Sequence, residues 1–208
     1  MPTRRLGAWR PIGFAIAFAG CAGMSSCEVS ARIRSDRELA KLLADDRTQP
    51  DAVRAVVADG DRAIARLLSW TRKPPSNVPL CSLYTGMADA FGELKTVEAI
   101  PFLVRNISLR RSCGIDLAPW LKSPKMIEWN FPAIGALVRI GPEAGSAVIR
   151  ACREPMRAED RLAAIYVVSR LQVTPGARAF LSSALGTANQ EQRWAEEALG
   201  QLDEQKSK

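Results

Sequence analysis

Apolar side chains between residues 83 and 107 fall in two stripes: Leu83, Met87, Ala90, Phe91 and Leu94, then Ile100, Leu103, Val104 and Ile107. The spacing is i, i+3, i+4, i+7, the helical period and not the strand period, so it predicts two short helices each with one apolar face. No alternating apolar and polar stretch of useful length occurs, which leaves strands without support. Turn residues fall between the predicted helices. Asp59-Gly60-Asp61, Gly141-Pro142 and Thr174-Pro175-Gly176 each join a glycine that permits the turn to a residue suited to starting the next helix. Ser35-Asp36-Arg37-Glu38 can form a capping box ahead of Leu39, Leu42 and Leu43. A last helix, from Gln190 to Lys208, sets a polar face beside Trp194, Ala198 and Leu202 and reads as a closing cap.

The same pattern recurs. Residues 90–103, beginning Ala90-Phe91-Gly92-Glu93-Leu94-Lys95, align without a gap with residues 136–149, beginning Ala136-Leu137-Val138-Arg139-Ile140-Gly141, and with residues 55–68. A weaker copy, Val168 to Leu181, needs one inserted residue in its turn, and Glu197 to Leu202 matches the start of the unit. Self-similarity at this period marks stacked supersecondary units, since one helix pair cannot bury its stripe alone. Ala-Phe-Gly-Glu-Leu followed by Glu-Ala-Ile-Pro-Phe-Leu, and Ile-Gly-Pro-Glu-Ala in the third copy, resemble the short HEAT-like repeats of bacteria. That resemblance implies an all-α fold, an α-α superhelix (solenoid) of about four helix-turn-helix repeats with a C-terminal cap helix. It also implies recognition by a concave face built from the second helices.

The chain start has a different character. Three of its 29 basic residues, Arg4, Arg5 and Arg10, precede a short apolar run from Ile12 to Gly20, and small residues follow. A basic, then apolar, then small-residue order is the anatomy of an export signal, and the run is too short for a spanning helix of about 20 apolar residues. Phe18-Ala19-Gly20-Cys21 resembles the lipobox of bacterial lipoproteins, which implies an acylated Cys21 and a membrane anchor. Cleavage after Ala17-Phe18-Ala19, giving a soluble periplasmic or secreted protein, is the competing reading. The resulting division is a signal peptide at 1–20, a tether and capping helix at 21–49, and the repeat domain at 50–208.

Composition narrows the chemistry. Apolar residues make up 47% and charged residues 25% of the 208 positions, as in soluble globular proteins and unlike disordered or multi-span chains. There is no histidine, which removes imidazole-based nucleophile activation, His-containing zinc sites and histidine-ligated haem. No phosphate-binding glycine loop, nucleophile elbow or metal-ligand cluster is visible, so neither catalysis nor a cofactor is expected. Besides Cys21 the chain has Cys27, Cys81, Cys113 and Cys152, without a CxxC pair. Cys81, placed just before one helix, and Cys113, just after its partner, come together at one end of an antiparallel pair, and a disulfide between them is the favoured pairing.

The spacing between repeats lengthens from 35 to 46 residues through an insertion at 112–129. Insertions of this kind emerge on one face of a repeat array and often bind something, which makes Trp120 and Trp129 candidate contacts. Ile115, Leu117, Leu121 and Ile127 suggest instead that the insertion folds back. Arg72-Lys73, Arg110-Arg111, Arg150 and Arg153 fall near the ends of second helices, as a basic edge in which Arg110 and Arg111 are candidate binding residues or as complements to the helix dipole. The expected function is an exported, non-catalytic protein-binding or scaffolding module at the cell envelope, meeting the membrane through lipid and not nucleic acid. The alternatives are an enzyme accessory resembling bilin lyases, or a basic solenoid on nucleic acid should the chain not be exported.

Overall fold

A computed structural model describes residues 35–111, 124–171, 176–185 and 190–206. Its described residues are all-α, with eleven helices and no strand. They run α1 (Asp36–Ala44), α2 (Gln49–Asp59), α3 (Asp61–Trp70), α4 (Leu80–Glu93), α5 (Ile100–Arg105), α6 (Pro124–Asn130), α7 (Pro132–Ile140), α8 (Pro142–Ala151), α9 (Ala158–Arg170), α10 (Ala177–Ser182) and α11 (Gln190–Lys206). A single 3-10 turn, Val97–Ala99, leads into α5. None is long and apolar enough to cross a membrane.

Local signals set many of the boundaries. The Ser35 hydroxyl accepts from the Glu38 amide while the Glu38 carboxylate accepts from the Ser35 amide, which is the expected capping box. One residue separates α2 from α3 and α7 from α8, and in each case it is a glycine with positive φ: 58° at Gly60 and 102° at Gly141. In the frame of the aligned segments Lys95 occupies the same position between α4 and the turn before α5, and its φ is also positive, 50°. Gly176, at the start of α10, has φ 80°. The internal similarity of the sequence is thus repeated in the backbone. A lysine tolerates this conformation at a cost of about 1–2 kcal/mol, because its Cβ crowds the following carbonyl oxygen.

Burial follows the stripes. Leu83, Met87, Ala90 and Phe91 of α4, Leu103 of α5, Ile134 and Leu137 of α7, Ile165 of α9 and Leu181 of α10 share one continuous apolar core. Contacts join each helix to those two or three places along the chain: α4 packs on α1, α2 and α7, α7 on α9, and α9 on α11, while α5 meets α8 and α8 meets α10. Glycines let α4 come close on both sides. A Cβ at Gly86 would lie 2.4 Å from the Leu43 carbonyl oxygen, and one at Gly92 would lie 2.8 Å from the Ala136 Cα. Tyr84 and Phe91 both meet the Phe102 ring edge-on, at 5.0 and 5.9 Å between centroids. At the far end Trp194 packs edge-on against Tyr166, and Ala195 and Ala198 of α11 are buried.

Of the insertion, α6 is described, and Ile127 is buried as expected of a segment that folds back. Ile115, Leu117 and Leu121 lie outside the described residues, as do Cys21, Cys27, Cys113 and Trp120. Cys81 falls within the first turn of α4 and not before it. A second correction concerns the arginines: α5 ends at Arg105, so Arg110 and Arg111 lie beyond its last turn and the helix dipole does not account for them.

The turn geometry has a measurable consequence. Lys95→Gly should raise stability by about 1 kcal/mol, whereas Gly141→Ala should lower it by about 1–2 kcal/mol. Urea unfolding midpoints read both, and equal small effects would show that positive φ at this position carries no strain.

Candidate functional site

One face of α2 presents Gln49, Pro50, Val53, Arg54, Val57 and Ala58, spaced by whole turns. Across from it stand Lys125, Glu128 and Trp129 of α6, while Asp89 and Glu93 of α4 and Arg139 of α7 lie between the two. Together with Arg111 they enclose an open cleft of about 790 Å³. Lining residues come from α2, α4, α6, α7 and the stretch after α5, and none from the second helices α3, α5 and α8. The cleft thus lies apart from the second helices on which the recognition face is expected.

Arg111 holds the cleft together. Its Nε donates to the Trp129 carbonyl at 2.9 Å, Nη1 to Gln49 Oε1 at 2.8 Å, and Nη2 to both Asp89 oxygens at 3.0 and 2.9 Å. Its own amide donates to the Asn130 carbonyl at 2.8 Å. The guanidinium also stands 5.3 Å from the centre of the Trp129 ring, within cation–π range. A planar five-donor fork suits such a junction, and lysine could not replace it. Gln49, 5% exposed, extends the chain of contacts by donating from Nε2 to the Leu43 carbonyl at 3.2 Å. The Trp129 ring stays open to solvent at 55% exposure although its backbone is fixed.

Each carboxylate in the cleft has a cation beside it. Asp89 has Arg111; Glu93 lies 3.4 Å from Arg139; Glu128 lies 3.5 Å from Arg170 and accepts from the Tyr166 hydroxyl at 3.1 Å. Burial raises the Asp89 carboxyl above its ordinary value, with Arg111 and then Arg139 pulling it back and Glu93 adding to the rise. Burial, and then the Glu128 charge, push the Tyr166 phenol above its usual range. Among the described residues no group of three or more Cys, Asp and Glu side chains is placed to hold a metal ion.

Of the residues singled out in the sequence, Arg111 and Trp129 meet at this cleft. Arg110 does not line it; its guanidinium lies 5.9 Å from the Phe131 ring. Cys81 Sγ is 3.8 Å from the Arg110 carbonyl oxygen, at the edge of the segment that contains Cys113. Cys152 caps the end of α8 as a half-buried free thiol, pushed up to about 11 by burial against the pull of Arg161. Gln49, Asp89, Glu93, Val57 and Arg139 were not singled out. One signal for them exists: Glu93 and Arg139 hold the same position in aligned copies, so stacked first helices bring opposite charges together. Compared with known proteins, the chain matches no family model and no curated protein.

Removing Arg111 strands the Asp89 carboxylate, so Arg111→Met should cost about 2–3 kcal/mol near pH 7. Asp89 binds its proton more tightly folded than unfolded, so its favourable contribution is present below about pH 3.8 and is lost as pH rises through the raised folded value. Without Arg111 that value climbs further. The deficit of the variant should therefore shrink as pH falls from 7 towards 4, read by urea unfolding across that range. A second measurement concerns Cys152: at pH 8 a thiol titrating near 11 is about one part in a thousand thiolate, against about a quarter for an ordinary cysteine. Iodoacetamide should label it roughly 100-fold more slowly than a free peptide thiol, and labelling at the peptide rate would contradict its burial.

Proposed function

We propose that this chain is an exported α-solenoid of HEAT-like repeats, tethered by lipid on Cys21, that works as a non-catalytic protein-binding module at the bacterial cell envelope. The observation that carries the binding reading is the exposed Trp129 ring, backed by Arg111 on the lip of a cleft whose carboxylates all have cationic neighbours. Exposed tryptophan over a fixed polar junction suits a contact surface, and tryptophan and arginine are the residues enriched at binding hot spots. The solenoid reading draws support from the positive-φ turn that recurs at Gly60, Lys95 and Gly141 and from packing between successive helix pairs. Export and lipidation rest on the order of basic, apolar and small residues up to Cys21.

In the oxidising compartment this reading implies, a Cys81–Cys113 bridge would close a 32-residue loop and stabilise by about 3.5 kcal/mol. It would tie the first turn of α4 to the beginning of the insertion. The proximity of Cys81 to the Arg110 carbonyl favours it.

A photoreactive phenylalanine analogue at Val57 should give protein adducts in intact cells, and the same group at Leu185, exposed away from the cleft, should not. No adduct from Val57, or equal adducts from both, would overturn the binding reading. Mass spectrometry of the same material, unreduced, should find acyl-Cys21 as first residue, absent from Cys21→Ala, together with a Cys81–Cys113 peptide. An unmodified chain start or two free thiols would remove those parts of the proposal.

A further inference from the structure

The polar groups of the cleft are unevenly spent. Both Asp89 oxygens are taken by Arg111, and Glu128 Oε1 by Tyr166 and Arg170. Glu93 Oε1 faces Arg139. On the cationic side Lys125 makes no hydrogen bond or ion pair among the described residues. Arg139 sits within ion-pair range of Glu93 and Asp89 but forms no hydrogen bond among those residues. Arg54 pairs, among the described residues, with Asp51 one turn back on its own helix, and is 63% exposed. Glu93 likewise makes no hydrogen bond among the described residues, so it and Arg139 offset each other; the excess of positive charge lies in the lining as a whole, where Arg54, Arg111, Lys125 and Arg139 face Asp89, Glu93 and Glu128 and, among those residues, Lys125 is left without an acidic neighbour. Beside it runs an apolar strip, Pro50, Val53 and Val57 on one wall and the Trp129 ring on the other.

Complementarity decides between ligands. A cationic segment would meet Lys125 and the exposed Arg54 and be repelled. A neutral apolar one would remove water from Lys125 and Arg139 without replacing its hydrogen bonds, which disfavours it. An acidic segment with a bulky apolar side chain satisfies both features at once. Length agrees: from Gln49 to Ala58 the helix rises about 13 Å, the span of about four extended residues. Resting on the protein-binding reading above, we propose that the cleft takes an acidic peptide segment of the partner. In it an Asp or Glu reaches Lys125, Arg54 or Arg139, and a neighbouring large apolar side chain packs between Trp129 and the Val53–Val57 strip.

Random dodecapeptides displayed on phage and panned at low salt on the purified full chain test this directly. Enriched sequences should place Asp or Glu within about two residues of Leu, Met, Phe or Trp. Their synthetic versions should bind by fluorescence anisotropy and weaken about tenfold when salt is raised to about 0.5 M. Arg54→Glu with Lys125→Glu, both at exposed positions, should lower affinity at least about tenfold, as should Trp129→Ala, while Leu185→Ser leaves it unchanged. Enrichment without an acidic bias, none above that on the Trp129→Ala protein, or affinity indifferent to the double charge reversal would overturn the proposal. Adducts from Val57 in cells without acidic enrichment would reject this ligand chemistry and keep the binding reading. Acidic enrichment without adducts would keep the chemistry and reject the cellular role.

Discussion

Burial of α4 is the constraint on which the remaining structure depends. Leu83, Met87, Phe91 and the small residues between them face α1, α2 and α7, so this helix meets solvent over little of its surface. It sits that deep because Gly86 and Gly92 remove the side chains that would collide with the Leu43 carbonyl and the Ala136 backbone. Close approach matters beyond packing density. It sets how far apart α2 and α7 stand, and hence how wide the cleft above α4 can be, while Asp89 and Glu93 project from the same helix into that cleft.

Helices, their order and their turns were readable from the sequence because each depends on near neighbours. The stripe Leu83, Met87, Ala90, Phe91 needs only the period of the α-helix, and the capping box at Ser35 needs only Glu38 three positions on. Gly60 and Gly141 announced their turns by residue type. Lys95 did not, since nothing local marks a lysine for positive φ; only its place in the aligned copies assigns it there. The cleft was far less legible. Trp129 and Arg111 attracted notice as an aromatic and a cation near an insertion, but Arg111 was read with Arg110 either as part of a basic edge or as a complement to a helix end. Its partners Gln49, Asp89 and the Trp129 carbonyl come from three separate elements, and no periodicity links them. The side on which the cleft lies also escaped, because helical spacing identifies an apolar face without saying which polar face becomes concave.

The two charge systems beside the cleft differ in how they use solvent. The Arg111–Asp89 pair is mostly buried, with side chains 16% and 19% exposed, and its hydrogen bonds are nearly complete, so salt should screen it little. Arg54 and Lys125, at the rim, keep their water and gain little from one another. Interior charge here defines a shape, and rim charge defines a preference of sign. Such a division separates what holds the protein from what would select a ligand under the proposed binding role.

One side chain fixes the distance between α2 and α6. Because Arg111 grips Gln49 on one side and the Trp129 backbone on the other, it serves as a strut as well as an ion pair. The entropy of immobilising the tryptophan backbone is then lost during folding, before any ligand arrives. A ligand entering such a cleft orders mainly itself, which favours association with little rearrangement and places most differences in affinity between ligands in how slowly they leave.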